Sequence, residues 1–574
     1  MSKKKNIILL IVSVILAVSF LFFLTFSYLS HLRLISDNAL TFYKVALFVS
    51  AISFSFVSLF VFFKNKERVI FENKKVSNKT KIWIGICWTL LTLIYTAFIG
   101  LARYYWCYGQ VDAEQIYYHT FVSAAGMDWG TVITIGVPSI LGAIIFGVVL
   151  SYIIRVFLCL THHEDKKIES KRRFKLTLSS LILIFTSLVL VLCQLFCSIP
   201  ILHFTYYQHF TESSFIKDNY VDPQKVNIEV PAKKQNLVYI YLESVENTFL
   251  DTNNGGAFSE NLMPEYTKLC QENINFSNTN QIGGALKTYG ITYTTAGIFA
   301  QGFGLPLKVG TEVSAIHPNS ILPNRYNLFD ILNDAGYSQH VVMGSDIDFG
   351  GLRELFESHG DMNIYDYQYM VDTGFVDKGY KVFWGVEDEI LYDFSKRKLN
   401  EISKNDEPFV FVMETVDTHN PNGYVCGLCQ NDHDSQYANV VACASRQLED
   451  FMSWSKQQDW YDNTTFVIVG DHLSMKNDFF TDIDSRYDRT TVNCFVNAIN
   501  TNENTRFVNR QFSSLDMFPT ILSAIGFKIE RNRLGLGTNL FSNQKTIFEE
   551  YGYSYVNQEF KKNSTFYKNL FTGE

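Results

Sequence analysis

The sequence predicts a multi-pass α-helical membrane domain followed by an α/β extracytoplasmic domain with a central, largely parallel sheet. Three observations carry this expectation. The first 200 residues hold five apolar runs of membrane-spanning length, short apolar runs alternate with amphipathic segments from residue 236 onward, and three of those later runs lead straight into Glu, Asp or His.

Composition fits this division. Charged residues make up only 18% of the 574, whereas Phe and Tyr number 49 and 32, a bias that belongs to a membrane protein with a folded outer part and not to a disordered chain. The net charge of -8 supplies no basic surface for a polyanion, so no nucleic-acid partner is expected.

The apolar runs cover approximately 6–28, 39–63, 82–101, 131–158 and 176–201, each near the roughly 20 residues that a helix needs to span a bilayer. The first run is too long for a signal-peptide core and no small-residue cleavage site follows it, so an uncleaved span is expected. Lys3, Lys4 and Lys5 precede the first run, seven Lys or Arg lie in 64–81 and six in 161–175. The loops after the first and third runs have Arg33 and Arg103 as their only basic residues. The positive-inside rule then places the N-terminus in the cytoplasm and everything after about residue 201 outside. In the outer loop 102–130, Tyr104, Tyr105, Trp106, Tyr108, Tyr117, Tyr118 and Trp129 suit the bilayer-water boundary.

A polar connector, 202–235, with Pro223 and Pro231, separates this domain (1–201) from the outer one (236–574). Strands are expected at 237–242, 339–343, 409–413, 466–469 and 492–496, and helices at 327–335, 388–404, 437–455 and 513–524. About 340 residues suffice for one large α/β domain with insertions.

Chemistry is expected where these strands end, because open α/β sheets build their sites beyond the carboxyl ends of parallel strands. The run Thr464-Thr465-Phe466-Val467-Ile468-Val469 stops at Gly470 and delivers Asp471-His472; the first strand runs into Glu243, and the third leads to Asp417-Thr418-His419. Carboxylates and an imidazole converging on one rim suit a divalent cation, Mn, Zn or Mg, with a position open for a substrate oxygen. A nucleophile is sought in 283–298, where a hydroxyl at a helix start is polarised by backbone N–H groups that also cradle phosphate. Spacing alone does not choose among Thr288, Thr292, Thr294 and Thr295.

These motifs, in this order, resemble the membrane-bound phosphoglycerol and phosphoethanolamine transferases of the alkaline phosphatase/sulfatase superfamily, with the phosphoglycerol transferases of periplasmic glucans the nearer match. Leu242-Glu243-Ser244 is similar to the first metal-ligand motif of that group and Gly470-Asp471-His472 to the last. Tyr293-Thr294-Thr295-Ala296-Gly297, with Gly304-Leu305-Pro306 after it, is similar to the nucleophile segment, and this similarity selects Thr294. Phe349-Gly350-Gly351, His359-Gly360, 416–424, Leu515-Asp516-Met517-Phe518-Pro519-Thr520 and Gly535-Leu536-Gly537 extend the likeness. Tyr293 stands where lipoteichoic acid synthases have Lys, and Arg353 only approximates their Arg.

The resemblance implies a sulfatase-like fold and an ion held by Glu243, Thr294, Asp471 and His472. It also implies a two-step transfer in which Thr294 takes phosphoglycerol from phosphatidylglycerol or a related phospholipid and passes it to a glycan acceptor of the cell envelope. His419 would contact the phosphate or protonate the leaving oxygen. It further implies a place in the bacterial inner membrane, in contact with membrane lipid, with the catalytic domain in the periplasm. Two alternatives remain open from the sequence: phosphoethanolamine transfer to lipid A or another glycan, and a catalytically inactive glycan-binding membrane protein.

Cys87, Cys107, Cys159, Cys193 and Cys197 lie in or near the apolar runs, and Cys270, Cys426, Cys429, Cys443 and Cys494 in the outer domain. An oxidising compartment permits disulfides. Cys426 and Cys429 could bridge each other, pair with Cys443 or stay free; five thiols cannot all pair within one domain, and a zinc site would ordinarily want a second close pair.

Overall fold

A computed structural model describes residues 199–572 apart from 309–320, 323–324, 500, 501 and 503, together with scattered positions between 82 and 151. The five expected spans therefore lie outside the described residues, except for scattered positions of the third and fourth and the end of the fifth. Among the described residues no helix is long and apolar enough to cross a membrane. The described positions of the third and fourth runs are helical, and the Trp88 indole N–H donates to Gly147 O at 3.1 Å and to Ser151 Oγ at 3.0 Å. The chain forms two compact units, Met1–Trp106 with Gly130–Ile199 and Cys107–Trp129 with Pro200–Glu574.

The second unit is built on six strands: β1 (Asn236–Leu242), β2 (Ser338–Met343), β3 (Asn363–Tyr365), β4 (Phe409–Glu414), β5 (Thr464–Gly470) and β6 (Asn493–Val496). Their order is β3-β2-β4-β1-β5-β6, parallel throughout except for β6, which runs antiparallel to β5. The sheet is thus mixed, with the expected parallel majority. β3 escaped the sequence reading because three residues are too short for a period to show.

Alternation of side chains along each strand feeds two cores. Leu237, Tyr239 and Tyr241 of β1 and Val467 and Val469 of β5 face one; Val238, Ile240 and Leu242 with Phe466 and Ile468 face the other. Both faces are covered by helices, so the strands read as continuous apolar runs instead of alternating ones. On the first face pack α2 (Thr294–Phe303), α3 (Leu328–Asp334) and α6 (Met517–Ala524); on the second pack α1 (Pro264–Glu272), α4 (Asp388–Ile402) and α5 (Gln436–Ser455). Asn327 starts α3 with a capping box: its side chain accepts from the Phe329 and Asp330 amides while Asp330 reaches back.

The connector differs from expectation. Residues 202–235 continue a helix that begins earlier (Ile199–Phe210), add a short one (Phe215–Asn219), and pair Ile228–Glu229 antiparallel with Lys528–Ile529. Phe215 inserts among Tyr551, Tyr555 and Phe560, and this burial orders a segment whose local pattern had shown no period.

Register aligns the strand ends. Leu242 pairs with Gly470 and Tyr241 with Glu414, so Glu243, Thr415 and Asp471 emerge side by side at one rim.

Candidate metal centre

Glu243 leaves β1 through a sharp turn in which Ser244 adopts a left-handed φ of +57°, a conformation that non-glycine residues hold only where the surroundings impose it. The turn aims the Ser244 N–H at Asp471 Oδ1 (2.8 Å) and the Ser244 hydroxyl at Glu243 Oε1 (2.6 Å). Thr415, from the end of β4, accepts the Glu243 N–H at 3.0 Å. Next door, β5 ends at Gly470, where any Cβ would overlap the Val245 carbonyl, so only glycine lets the two strand exits lie this close.

Asp471 Oδ1 also accepts the His472 N–H at 2.7 Å, while its Oδ2, fully buried, has no hydrogen-bond partner. His472 Nδ1 is 2.8 Å from Leu473 O, which assigns the ring proton to Nδ1 and leaves the Nε2 lone pair facing the site. Nε2 lies 3.3 Å from Asp471 Oδ2 and 3.6 Å from Glu243 Oε1.

Thr294 completes the group from the other side. Tyr293 is extended, α2 begins at Thr294, and its half-buried hydroxyl donates to Glu243 Oε2 at 3.1 Å and stands 3.4 Å from His472 Nε2. Thr295, the neighbouring candidate, points away and donates to Gly350 O at 2.8 Å; Thr288 donates to Leu286 O. Gly297 lies against the strand exit itself, where a side chain would overlap the Asp471 carbonyl.

Glu243, Asp471 and His472 each place one ligand atom within 4.8 Å of the others, all buried. Electrostatics show a site short of positive charge. Burial, and then the charge of Glu243, push Asp471 well above the usual carboxylate value. Burial also acts to raise Glu243, but the neighbouring His419 and His472 and the Ser244 hydroxyl outweigh it and hold that carboxyl low. An orphaned buried carboxylate oxygen, a second carboxylate and an imidazole lone pair converging on one point fit a divalent cation of the borderline or hard class.

His419 stands at the same rim, half-buried, with Nδ1 2.7 Å from Asn420 O, so that its Nε2 is the nitrogen left for chemistry. Its ring packs on Trp384 at 4.7 Å between centroids and on Phe383 at 6.0 Å. Thr418 donates to the Glu243 carbonyl, tying this turn to the ligand turn. Asp417 does not join the ligand group. Its two oxygens are without hydrogen-bond partners, and burial followed by the nearby Asp388 pushes it up to about 10.

Several supports had no signal in the sequence. Tyr437 of α5 donates to Thr418 O at 3.1 Å and contacts Ser474 Oγ at 2.7 Å, bridging the His419 and His472 turns. Arg489 grips Glu246 with two bonds, 2.8 and 2.6 Å, and reaches Ser474 O at 2.7 Å. Glu414, at the end of β4, has both oxygens unpartnered, and burial with Asp471 and Glu243 nearby pushes it far up. Such residues read in the sequence as ordinary element ends.

Other motifs prove architectural. Arg353 is held by Asp348, Glu357 and Asp366, so its charge is committed. His359 spends both nitrogens, on Asp330 Oδ2 and Ile321 O, each at 2.7 Å. Asp516 caps its own turn through Ser513 N and accepts Thr538 N at 2.8 Å, fastening the strand that carries Gly537 to α6.

With this geometry in place, comparison with known proteins is direct. The sulfatase family profile matches residues 235–527, just over half of the chain. Phosphoglycerol transferase I of Salmonella choleraesuis (strain SC-B67) is 32% identical over 332 residues, 57% of this chain and 41% of the relative. Phosphoglycerol transferase I of Citrobacter koseri (strain ATCC BAA-895 / CDC 4225-83 / SGSC4696) is 31% identical with the same coverage. The match thus spans about two-fifths of the length of these curated relatives. Among solved structures, the integral membrane protein lipooligosaccharide phosphoethanolamine transferase A from Neisseria meningitidis aligns over 91% of this chain and 95% of that one, at 14% identity and TM-score 0.48.

Proposed function

The chain belongs to the sulfatase family, and from that premise we propose that it is a metal-dependent transferase that moves phosphoglycerol from phosphatidylglycerol, through a phosphothreonine, to a cell-envelope glycan. The observation that carries the reading is the Thr294 hydroxyl, set at a helix start 3.1 Å from Glu243 Oε2 and 3.4 Å from His472 Nε2. The similarity to relatives named phosphoglycerol transferase I supports the choice of group transferred.

Glu243, Asp471 and His472, joined by Thr294, would hold the cation. Bound there, a divalent ion neutralises charge on the transferring group and lowers the pKa of a ligated hydroxyl. Thr294 Oγ attacks phosphorus while its proton passes along the existing hydrogen bond to Glu243 Oε2. The bond from phosphorus to the diacylglycerol oxygen breaks, and His419 Nε2 gives that oxygen a proton. In the second half the acceptor hydroxyl returns a proton to His419 and attacks the phosphothreonine; Thr294 Oγ leaves and recovers its proton from Glu243. Backbone N–H groups at the start of α2 face the phosphoryl oxygens in both halves.

A lipid donor need not leave the bilayer, which suits a chain with five apolar runs before the catalytic domain. On this reading the N-terminus is cytoplasmic, residues 1–201 form the membrane domain and 236–574 the periplasmic catalytic domain. The large exposure of Ile82, Leu93, Ile133, Ile140 and Ile144 in the third and fourth runs supports contact with lipid.

The test is diacylglycerol release from phosphatidylglycerol vesicles with Mn, Zn or Mg supplied. Thr294→Ala is expected to lower release by about 10³-fold or more, and mass spectrometry of the parent should find phosphoglycerol on Thr294. Undiminished release by the variant would overturn the nucleophile, and no release with any ion would overturn the transferase.

A further inference from the structure

A second cluster of ligand-type side chains lies outside the sheet rim. Cys426 and Cys429 sit on the loop that follows the His419 turn, spaced as Cys426-Gly427-Leu428-Cys429, and Cys443 projects from α5. Cys426 Sγ is 3.6 Å from Cys429 Sγ and 3.8 Å from Cys443 Sγ, and all three sulfurs lie within 4.8 Å of one another. Three thiolates around a tetrahedral ion with metal-sulfur bonds of about 2.3 Å stand about 3.8 Å apart, so the spacing suits an ion between them.

The surroundings are those of a thiolate site. The Cys429 N–H donates to Cys426 O at 3.2 Å, closing the turn that brings these two side chains together. The Gln447 amide, one turn along α5 from Cys443, donates to Cys426 Sγ at 3.7 Å and to Cys443 Sγ at 3.5 Å. N–H donors aimed at sulfur stabilise the negative charge that metal-bound thiolates keep. Cys426 and Cys443 are buried while Cys429 is half-buried, which leaves an approach at one side. A disulfide would use two of the three sulfurs and leave the third, together with one of the two Gln447 bonds, unmatched.

We propose that Cys426, Cys429 and Cys443 form a second metal site, for a thiophilic ion of the zinc class, with three thiolate ligands and one position left for water. Soft sulfur donors select zinc over the Mg or Mn that oxygen donors accept. Binding releases the thiol protons and joins the loop after His419 to α5, whose Tyr437 in turn holds the His419 turn.

The test uses the full-length protein purified without chelator, with metal content measured by elemental mass spectrometry. Cys429→Ser is expected to carry one zinc fewer per chain than the parent and Cys443→Ser likewise, whereas Asp471→Asn, which disables the other site, keeps the sulfur-bound zinc. Cobalt loaded into Asp471→Asn should show a thiolate-to-cobalt charge-transfer band that disappears when Cys429→Ser is added. Cys429 is the less buried position, so that variant guards against a failure of Cys443→Ser to fold. Zinc content indifferent to both cysteine changes would overturn the proposal, as would non-reducing peptide mapping that finds two of the three sulfurs disulfide-bonded.

Discussion

Two clusters at neighbouring places in one domain reach similar ends by opposite routes. The oxygen and nitrogen cluster draws Glu243 and Asp471 from positions 228 residues apart in the chain, and parallel pairing of β1 with β5 holds them in register. The sulfur cluster takes all its members from residues 426–443, a loop and one helix. A sheet brings distant residues together only after the whole domain has folded, whereas a loop and the adjoining helix close locally. The first arrangement is therefore expected to survive loss of its ion, and the second to depend on its ion for order.

The largest expected effect separates the clusters by chemistry. Asp471→Asn should depress diacylglycerol release by about 10³-fold or more without disturbing the sulfur site; in the same variant, thermal melting should no longer respond to added Mn. Equal loss of both ions would show that the two sites are not independent.

Asp388 stands at the start of α4, behind the turn that carries His419. It accepts the Val416 N–H at 2.7 Å, and burial pushes its carboxyl up to about 7. Because this group keeps its proton in the fold up to about pH 7 but loses it near pH 4 when unfolded, the stability it contributes is full below about pH 4 and is lost as pH rises to about 7. Urea denaturation across this range should show a decline about 2–4 kcal/mol larger in the parent than in Asp388→Asn, because the raised carboxyls of Asp417, Glu414 and Asp471 contribute to both. Parallel pH curves for parent and variant would show instead that Asp388 is ionised in the fold.

His419→Asn should lower kcat by about 10²-fold with unchanged zinc content, and flatten the limb of the pH profile that reports the general acid. Smallest is Gln447→Leu, expected to weaken sulfur-bound zinc by about tenfold in a chelator competition and to leave diacylglycerol release as it was.

Legibility in the sequence follows the same divide. The central strands were readable because both faces are covered, and Glu243 and Asp471-His472 stood out as the first polar residues after apolar runs. Thr294 was not separable from Thr288, Thr292 and Thr295 by spacing, since only packing of α2 against the end of β5 turns one hydroxyl inward. Glu414, Tyr437 and Arg489 carried no local signal, because their partners lie on other elements. The cysteines had suggestive spacing, yet whether three sulfurs meet or two pair depends on where α5 lies across the loop. The apolar runs, most evident in the sequence, fall largely outside the described residues.

The bare contact of Gly297 with the Asp471 carbonyl makes the gap between the Thr294 hydroxyl and the side chains at the strand exit a ruler with no adjustable side chain. Helix meets strand exit, main chain against main chain, so a change at residue 294 alters the group presented there while the distance from α2 to the strand exit stays set by the backbone. Recasting this centre for a bulkier or shorter nucleophile would require sliding the whole of α2. The spacing of the site is thus set by its architecture more than by the identity of residue 294.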